Sequence, residues 1–398
     1  MCLKYINKKI LLFFFVFIFL FNFNISFASE ENPLKLNARS CVVIDRTSKQ
    51  ILFGKNEYNK VKMASTTKIM TATIIIENCD LNNIVTISKK ATGTGGSRLG
   101  LKTGDKITIK DLLYGLLLVS GNDAAVALAE TCSGSVSDFA DIMNEKAKEL
   151  QLYNTHFETP HGLDSDNHYT TAYELALLTD YALNNSTFQN IVGTKNYTIT
   201  INGYPKNLTN TNELLGSVNG IYGVKTGFTN GANRCLVTAC KRGEKDIICV
   251  VLGCDTKNFR ASDSTKLINY AFENFEYINI ENKINEFFNS WLTSNINTFY
   301  IEKGNSQNIK LNYSFTGCPI IPIKKSEIND LEFHINVNTY LKAPINQNKR
   351  VGYITVLMEN NTICNCDIIS ENTIEKKSFL TYLFEFLKNY NNYISSIK

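Results

Sequence analysis

The chain has 398 residues, 44% of them apolar and 20% charged, and a formal net charge of +4. That length and apolar content support a sizeable core in one large or two unequal domains and leave no long disordered tract. The small positive charge, part of it from Lys4, Lys8 and Lys9, gives no basis for nucleic-acid binding.

Those three lysines precede an almost unbroken apolar run from Ile10 to Phe23, and Ser26-Phe27-Ala28 supplies small residues where a signal peptidase cuts. Residues 1–28 are expected to be a signal peptide, so the protein should be exported and work outside the cytoplasm, on the outer face of the cytoplasmic membrane. Asn22 and Asn24 shorten the apolar run below the ~20 residues a membrane span needs. Of the eleven cysteines, Cys2 leaves with the signal segment. Cys41, Cys235 and Cys249 lie in apolar, strand-like runs where cysteine acts as a small hydrophobe. Cys364 and Cys366 are too close for a relaxed bridge, so mostly free thiols are expected.

From Ala38 the pattern reads strand, turn, strand: Ser40 to Asp45, then Gln50 to Gly54. A helix is predicted from Ser65 to Glu77, a second from Asp111 to Val119, and a third after Asn122, read as its N-cap. Phe139, Ile142, Met143, Ala147 and Leu150 share one helical face, and Thr171 with Glu174 form a capping box opening a helix to Leu183. Three strands follow, Tyr222 to Thr226, Cys235 to Lys241 and Asp246 to Leu252, and a helix from Ser264 to Phe275 closes the domain. Strands at both ends of a helix-rich middle give an α+β class rather than alternating βαβ units.

After about residue 280 asparagine and isoleucine dominate, helix signals fade, and short β-prone runs mark a smaller β-rich domain over 280–370. Residues 376–398 differ again. Phe379, Leu383, Phe386, Leu387, Tyr390 and Ile394 share one helical face, which predicts an amphipathic helix in contact with a membrane surface.

Three short motifs carry chemistry. A serine hydroxyl needs an adjacent base, and Ser65 and Lys68 are spaced to share a helix face. A lysine serves as that base only when burial or a neighbouring cation keeps it neutral; Lys225 supplies the cation. The Ser65 backbone N–H, at a helix start, is placed to bind an oxyanion. Ser120-Gly121-Asn122 and Lys225-Thr226-Gly227 complete the set. Each motif also recurs by chance: Ser395 to Lys398, Ser165, Ser217, Ser306, and a second K-T-G at Lys102-Thr103-Gly104. That second copy reads as a polar surface turn, whereas the copy at Lys225 ends a strand.

With its motifs in this order the chain resembles the serine D-alanyl-D-alanine carboxypeptidases, the low-molecular-mass penicillin-binding proteins. The resemblance is carried by M-A-S-T-T-K-I-M (63–70), L-L-L-V-S-G-N-D-A-A-V-A-L-A-E (116–130), G-V-K-T-G-F-T (223–229), M-N-E-K-A-K-E-L (143–150), N-T-H-F (154–157) and H-Y-T-T-A-Y-E (168–174). It implies a β-lactamase/transpeptidase-like domain over 36–275, an antiparallel sheet flanked by helices plus a helical subdomain. It implies Ser65 as acylated nucleophile, Lys68 as its base, and Ser120 as proton relay. Asn122, Lys225, Thr226, Gly227 and the N–H of Phe228 would bind substrate. Peptidoglycan stem peptides would be the substrates and β-lactams covalent inhibitors, with no cofactor or metal.

Two other mechanisms have candidate residues in the sequence. His156, His161 and His168 lie close together with Glu158, Asp164 and Asp166, but the spacing fits no helical metal pair and Pro160 and Gly162 make the segment a loop. A β-lactamase of class A needs a deacylating glutamate in an E-x-x-L-N setting; Glu158 is followed by Thr159-Pro160-His161 and does not match. A penicillin sensor with little turnover is the remaining alternative.

Overall fold

The structure, a computed structural model, describes residues 34–397. The expected signal peptide lies outside the described residues, as does Lys398. Chain contacts separate a short unit ending at Leu36 from a second beginning at Asn37; every element below belongs to the second.

Strands β1 (Ser40–Asp45) and β2 (Ile51–Lys55) form the hairpin read from the sequence. The helical middle contains α1 (Lys68–Asn78), α2 (Ile109–Leu117), α3 (Asn122–Ser133), α4 (Val136–Glu149), α5 (Ala172–Leu183) and α6 (Ser186–Val192). Strands β3 (Ile221–Thr229), β4 (Asn233–Arg242) and β5 (Lys245–Cys254) then complete an antiparallel sheet in the order β2-β1-β5-β4-β3. All of β1 is buried, as a strand covered on both faces must be. Helix α5 packs against β1 and β5, and α7 (Lys257–Asn274) against β4 and β5. The strand β3 is left at the edge.

Helix α7 starts earlier than the sequence predicts because Thr256 caps it, accepting from Phe259 N at 3.1 Å. The capping box at α5 is only half made. Thr171 accepts from Glu174 N at 3.0 Å, but the Glu174 carboxylate turns away to Asn154 N and Thr155 Oγ1. A hairpin the sequence reading passed over, Asn196–Ile201 with Tyr204–Thr209, turns through Asn202 and Gly203 at φ 52° and 84°. Asn-Gly is the signal for such a turn.

The region after 280 corrects one expectation. Residues Ile280–Asn295 are a helix, α8, with Ile280, Ile284 and Phe288 buried on one face. Its Asn-rich polar face masked a clear i, i+4, i+8 stripe. It packs on a four-stranded sheet in the spatial order Leu311–Ser314, Asn361–Ser370, Arg350–Met358, Leu331–Val337. The central pair turns through Glu359 and Asn360, both at positive φ. The last helix, α9 (Phe379–Ile397), exposes the very face the sequence marks as apolar, including Phe379 at 79% and Phe386 at 65%. All ten described cysteines are free thiols.

Candidate active site

Ser65 sits on a single 3₁₀ turn, Ala64–Thr67, that runs into α1. The sequence predicts an α-helix from Ser65 itself. The tighter turn replaces its start because Ala64 takes φ +50°, a left-handed conformation that costs a non-glycine residue energy. The turn is pinned from two sides. Thr66 and Thr67 hydroxyls donate back to the carbonyls of Met63 and Ala64, at 2.7 and 2.8 Å. Opposite, Gly162 presses so close that a Cβ there would meet Ala64 O at 2.0 Å, and its own φ is +82°. Only glycine fits.

Lys68 opens α1 and is fully buried. Its Nζ lies 2.9 Å from Ser65 Oγ, 2.7 Å from Asn122 Oδ1 and 2.9 Å from the carbonyl oxygen of His161. Burial, and next the charge of Lys225, hold its amine well below the usual lysine pKa, with Asp123 partly opposing. The His161 carbonyl was not anticipated: no side-chain chemistry marks a backbone acceptor in a sequence.

Asn122 does not act as the N-cap. It is the first residue of α3, and its side chain is committed to Lys68 and, through Nδ2, to Gly95 O at 2.7 Å. The neighbouring Asp123, also missed, gathers the N–H groups of Leu99, Gly100 and Leu101 at 2.7, 2.8 and 3.1 Å. Together the two side chains tie the glycine-rich segment 93–100 to the start of α3. Ser120 lies buried just before, at φ +61°. Non-glycine residues in left-handed backbone thus flank the site at Ala64 and Ser120.

Lys225 is fully buried on β3 and donates to Thr226 O at 3.0 Å. Burial, then the charge of Arg260, lower its pKa to about 7. The sequence reading treats Lys225 as a standing cation. With that pKa it is only part-charged near neutrality, and Arg260, buried and paired with Glu213, adds to the field. Thr226 Oγ1 is 2.8 Å from Thr211 Oγ1. At Gly227 a Cβ would come within 3.2 Å of Ser65 N, Met63 O and Ala64 Cβ, so β3 and the serine turn are in contact. Phe228 is exposed, with the Arg234 guanidinium 3.6 Å from its ring centre. Being the edge strand, β3 offers unpaired backbone groups beside Ser65. The other K-T-G, at Lys102, is an exposed turn with Gly104 at φ 88°.

The three clustered histidines have structural partners. His168 spans Thr67 Oγ1 and Glu158 N, at 2.7 and 3.0 Å; His161 Nδ1 accepts from Leu163 N at 3.2 Å; His156 Nδ1 lies against Asn167 O. Among the described residues no group of three or more His, Cys, Asp or Glu side chains is arranged to hold a metal ion.

A five-stranded antiparallel sheet, a helical subdomain, and a serine turn backed by a buried lysine define a serine peptidase. The family model for D-alanyl-D-alanine carboxypeptidase matches residues 27–256, and that for the C-terminal domain of penicillin-binding protein 5 matches 294–376. The chain is similar to D-alanyl-D-alanine carboxypeptidase DacF of Bacillus subtilis, 32% identical, over 87% of this chain and 88% of that one. Its fold is similar to the D-alanyl-D-alanine carboxypeptidase DacD of Francisella tularensis, with TM-score 0.69, 26% identity, and 86% and 95% of the two chains covered. It is also similar to the Streptomyces K15 DD-transpeptidase, with TM-score 0.58, 37% identity, and 60% and 98% covered. The chain belongs to the D-alanyl-D-alanine carboxypeptidase family.

Proposed function

We propose that the protein is a serine D-alanyl-D-alanine carboxypeptidase that removes the terminal D-alanine from peptidoglycan pentapeptide stems and so limits cross-linking. The observation that carries this is Lys68: fully buried, its amine held toward the neutral form, and 2.9 Å from Ser65 Oγ.

In this reading the neutral Lys68 amine accepts the Ser65 proton as Oγ attacks the carbonyl between the two D-alanines. The N–H groups of Ser65 and Phe228 hold the oxyanion, and Gly227 lets the substrate strand approach. Charged Lys225 and the Thr226 hydroxyl bind the terminal carboxylate, while Asn122 bonds the peptide backbone. As the tetrahedral intermediate collapses, the C–N bond breaks and Ser120 relays a proton to the leaving D-alanine nitrogen. Water then hydrolyses the ester, returning the proton to Ser65. A β-lactam would acylate Ser65 in the same way.

Release of that drug should be slow. The loop nearest Lys68 offers it the His161 backbone carbonyl, and Glu158 lacks the motif of a deacylating glutamate. Domain limits of 36–275, 280–370 and 376–398 belong to the same proposal, as do export on residues 1–28 and membrane contact through α9. No described helix is long and apolar enough to cross a membrane; an exposed apolar face suits the interface instead.

The test is release of free D-alanine from a pentapeptide stem. Stoichiometric release many times over, lost in Ser65→Ala, is expected. Normal acylation by penicillin with no D-alanine released would turn the reading to a sensor.

A further inference from the structure

Past Phe228, β3 ends in a turn and the chain returns as β4. A cavity of about 260 Å³ opens at this turn, walled by Arg39, Val61, Lys62, Gly231, Ala232 and Gly253. Two of its walls are cations. Arg39 lies across Gly253, where a Cβ would stand 3.0 Å from the arginine's own Cβ and Cδ. Its ion pair with Asp255 is loose, at 3.8 Å with both side chains more than half exposed, an arrangement of little energy. With the Asn233 amide turned to present its oxygen, the guanidinium donates to it at 3.1 and 2.9 Å. Lys62 has no ion-pair partner among the described residues. The nearby carboxylate of Asp164 is already engaged by Thr229 Oγ1 and Gly231 N, at 2.6 and 2.8 Å.

The cavity lies a short stretch of chain from both Ser65 and the end of β3. Lys62 precedes Ser65 by three residues, at most about 11 Å of extended chain. Gly231 follows Gly227 by four residues, at most about 14 Å of chain, in the turn that ends β3. With Lys225 and Thr226 at the terminal carboxylate and the Phe228 N–H at the scissile carbonyl, substrate runs antiparallel to β3. Its earlier residues therefore head toward Thr229 and the turn. The third and fourth residues inward from the C-terminus lie roughly 5 to 10 Å from the scissile carbonyl in an extended stem. A diamino diacid at the first of these places, or a γ-linked glutamate at the second, carries a free carboxylate.

We infer that the cavity is an anion subsite in which Arg39 and Lys62 bind a stem-peptide carboxylate beyond the penultimate D-alanine. The inference rests on the carboxypeptidase reading for the direction of the substrate. It assigns the protein a preference for stems whose inner carboxylates are not amidated.

The experiment compares kcat/KM for D-alanine release from L-alanyl-γ-D-glutamyl-meso-diaminopimelyl-D-alanyl-D-alanine and its forms amidated at the glutamate, the diaminopimelate or both. Wild type should favour the diacid over the diamide about tenfold, and the double variant R39Q/K62Q should erase that ratio while turning over the diamide normally. The singly amidated peptides identify which carboxylate is held. Equal rates on all four peptides in wild type would overturn the inference, as would a variant that slows diamide and diacid alike. A second measurement needs no turnover: protection of Ser65 from a fluorescent penicillin by the tetrapeptide diacid against its diamide. Preferential protection by the diacid, lost in R39Q/K62Q, supports the subsite even if no D-alanine is released from any peptide. Equal protection by the two overturns it whatever the carboxypeptidase assay gives.

Discussion

The tripeptide Lys-Thr-Gly occurs twice, and the two copies share nothing but their letters. Lys102-Thr103-Gly104 is an exposed turn, with Thr103 Oγ1 bonded to Thr92 Oγ1 at 3.1 Å and the lysine itself exposed. Lys225-Thr226-Gly227 is buried on the edge strand of the main sheet, with its glycine against the Ser65 turn and its lysine stripped of solvent. Burial, not the letters, gives the motif its electrostatics. An ammonium in water is a screened charge, whereas one in a dry site beside a second cation has a pKa near 7 and an electric field that reaches Lys68.

Substitution at the two lysines should separate the copies most strongly. Lys225→Ala should lower kcat/KM for a pentapeptide by about 10²- to 10³-fold, the scale of losing one preorganised electrostatic contact. Lys102→Ala should stay within about twofold of wild type in the same assay. Equal losses at both positions would show that the charge acts at long range and that burial is irrelevant.

A backbone test comes next in size. Gly162 abuts the carbonyl of Ala64, and Gly162→Ala would force a 2.0 Å approach at φ +82°. A loss of about 3 kcal/mol or more in denaturant unfolding is expected, the range of backbone strain and overpacking. Gly104→Ala, at φ 88° with nothing within 4 Å, should cost only about 1 kcal/mol.

Activity should depend on pH through the same two buried lysines. In the proposed mechanism acylation needs neutral Lys68, so kcat/KM should rise with pH through the lowered Lys68 pKa. The same mechanism has charged Lys225 bind the carboxylate, so kcat/KM should fall again above about 7. A bound carboxylate favours the charged lysine, so the basic limb of kcat should lie at higher pH than that of kcat/KM. Stability has its own acid limb. Burial lowers His161 to about 3 and His168 to about 4, so both are neutral in the fold while an unfolded chain protonates near 6.5. Stability is full above 6.5 and declines as pH falls toward those values, by up to about 1.4 kcal/mol per pH unit for each histidine. Calorimetry from pH 7 to 4 measures it.

The smallest expected effect on catalysis is at the other end of the chain. Removing α9 should leave kcat/KM for a soluble peptide within about twofold, yet abolish cosedimentation with vesicles containing anionic lipid. Retained vesicle binding would show that the exposed Phe379 and Phe386 face serves something other than a membrane.

How much of this was legible in the sequence varies with the physics. The main sheet was, because β1, β4 and β5 are short apolar runs of the kind that only burial explains. Helix α8 was not, because asparagines hide the stripe of Ile280, Ile284 and Phe288 from a composition-led reading. At the site, the candidate residues were readable as motifs, but their partners were less so. Asn122 looked like a cap and proved to be a ligand of Lys68. The His161 carbonyl, Asp123 and Arg260 act through tertiary contacts that leave no local pattern. The stripe in α8 and the Asn202-Gly203 turn were available to a closer reading; those contacts were not.

Ser65, activated by buried Lys68, is expected to form a covalent acyl-enzyme. Intact-protein mass spectrometry after incubation with benzylpenicillin, followed by peptide mapping, measures this directly. One penicilloyl group on the peptide containing Ser65, persisting for many minutes and absent from Ser65→Ala, is the predicted result. An adduct on another residue, no adduct at all, or one that vanishes with rapid drug turnover would contradict it.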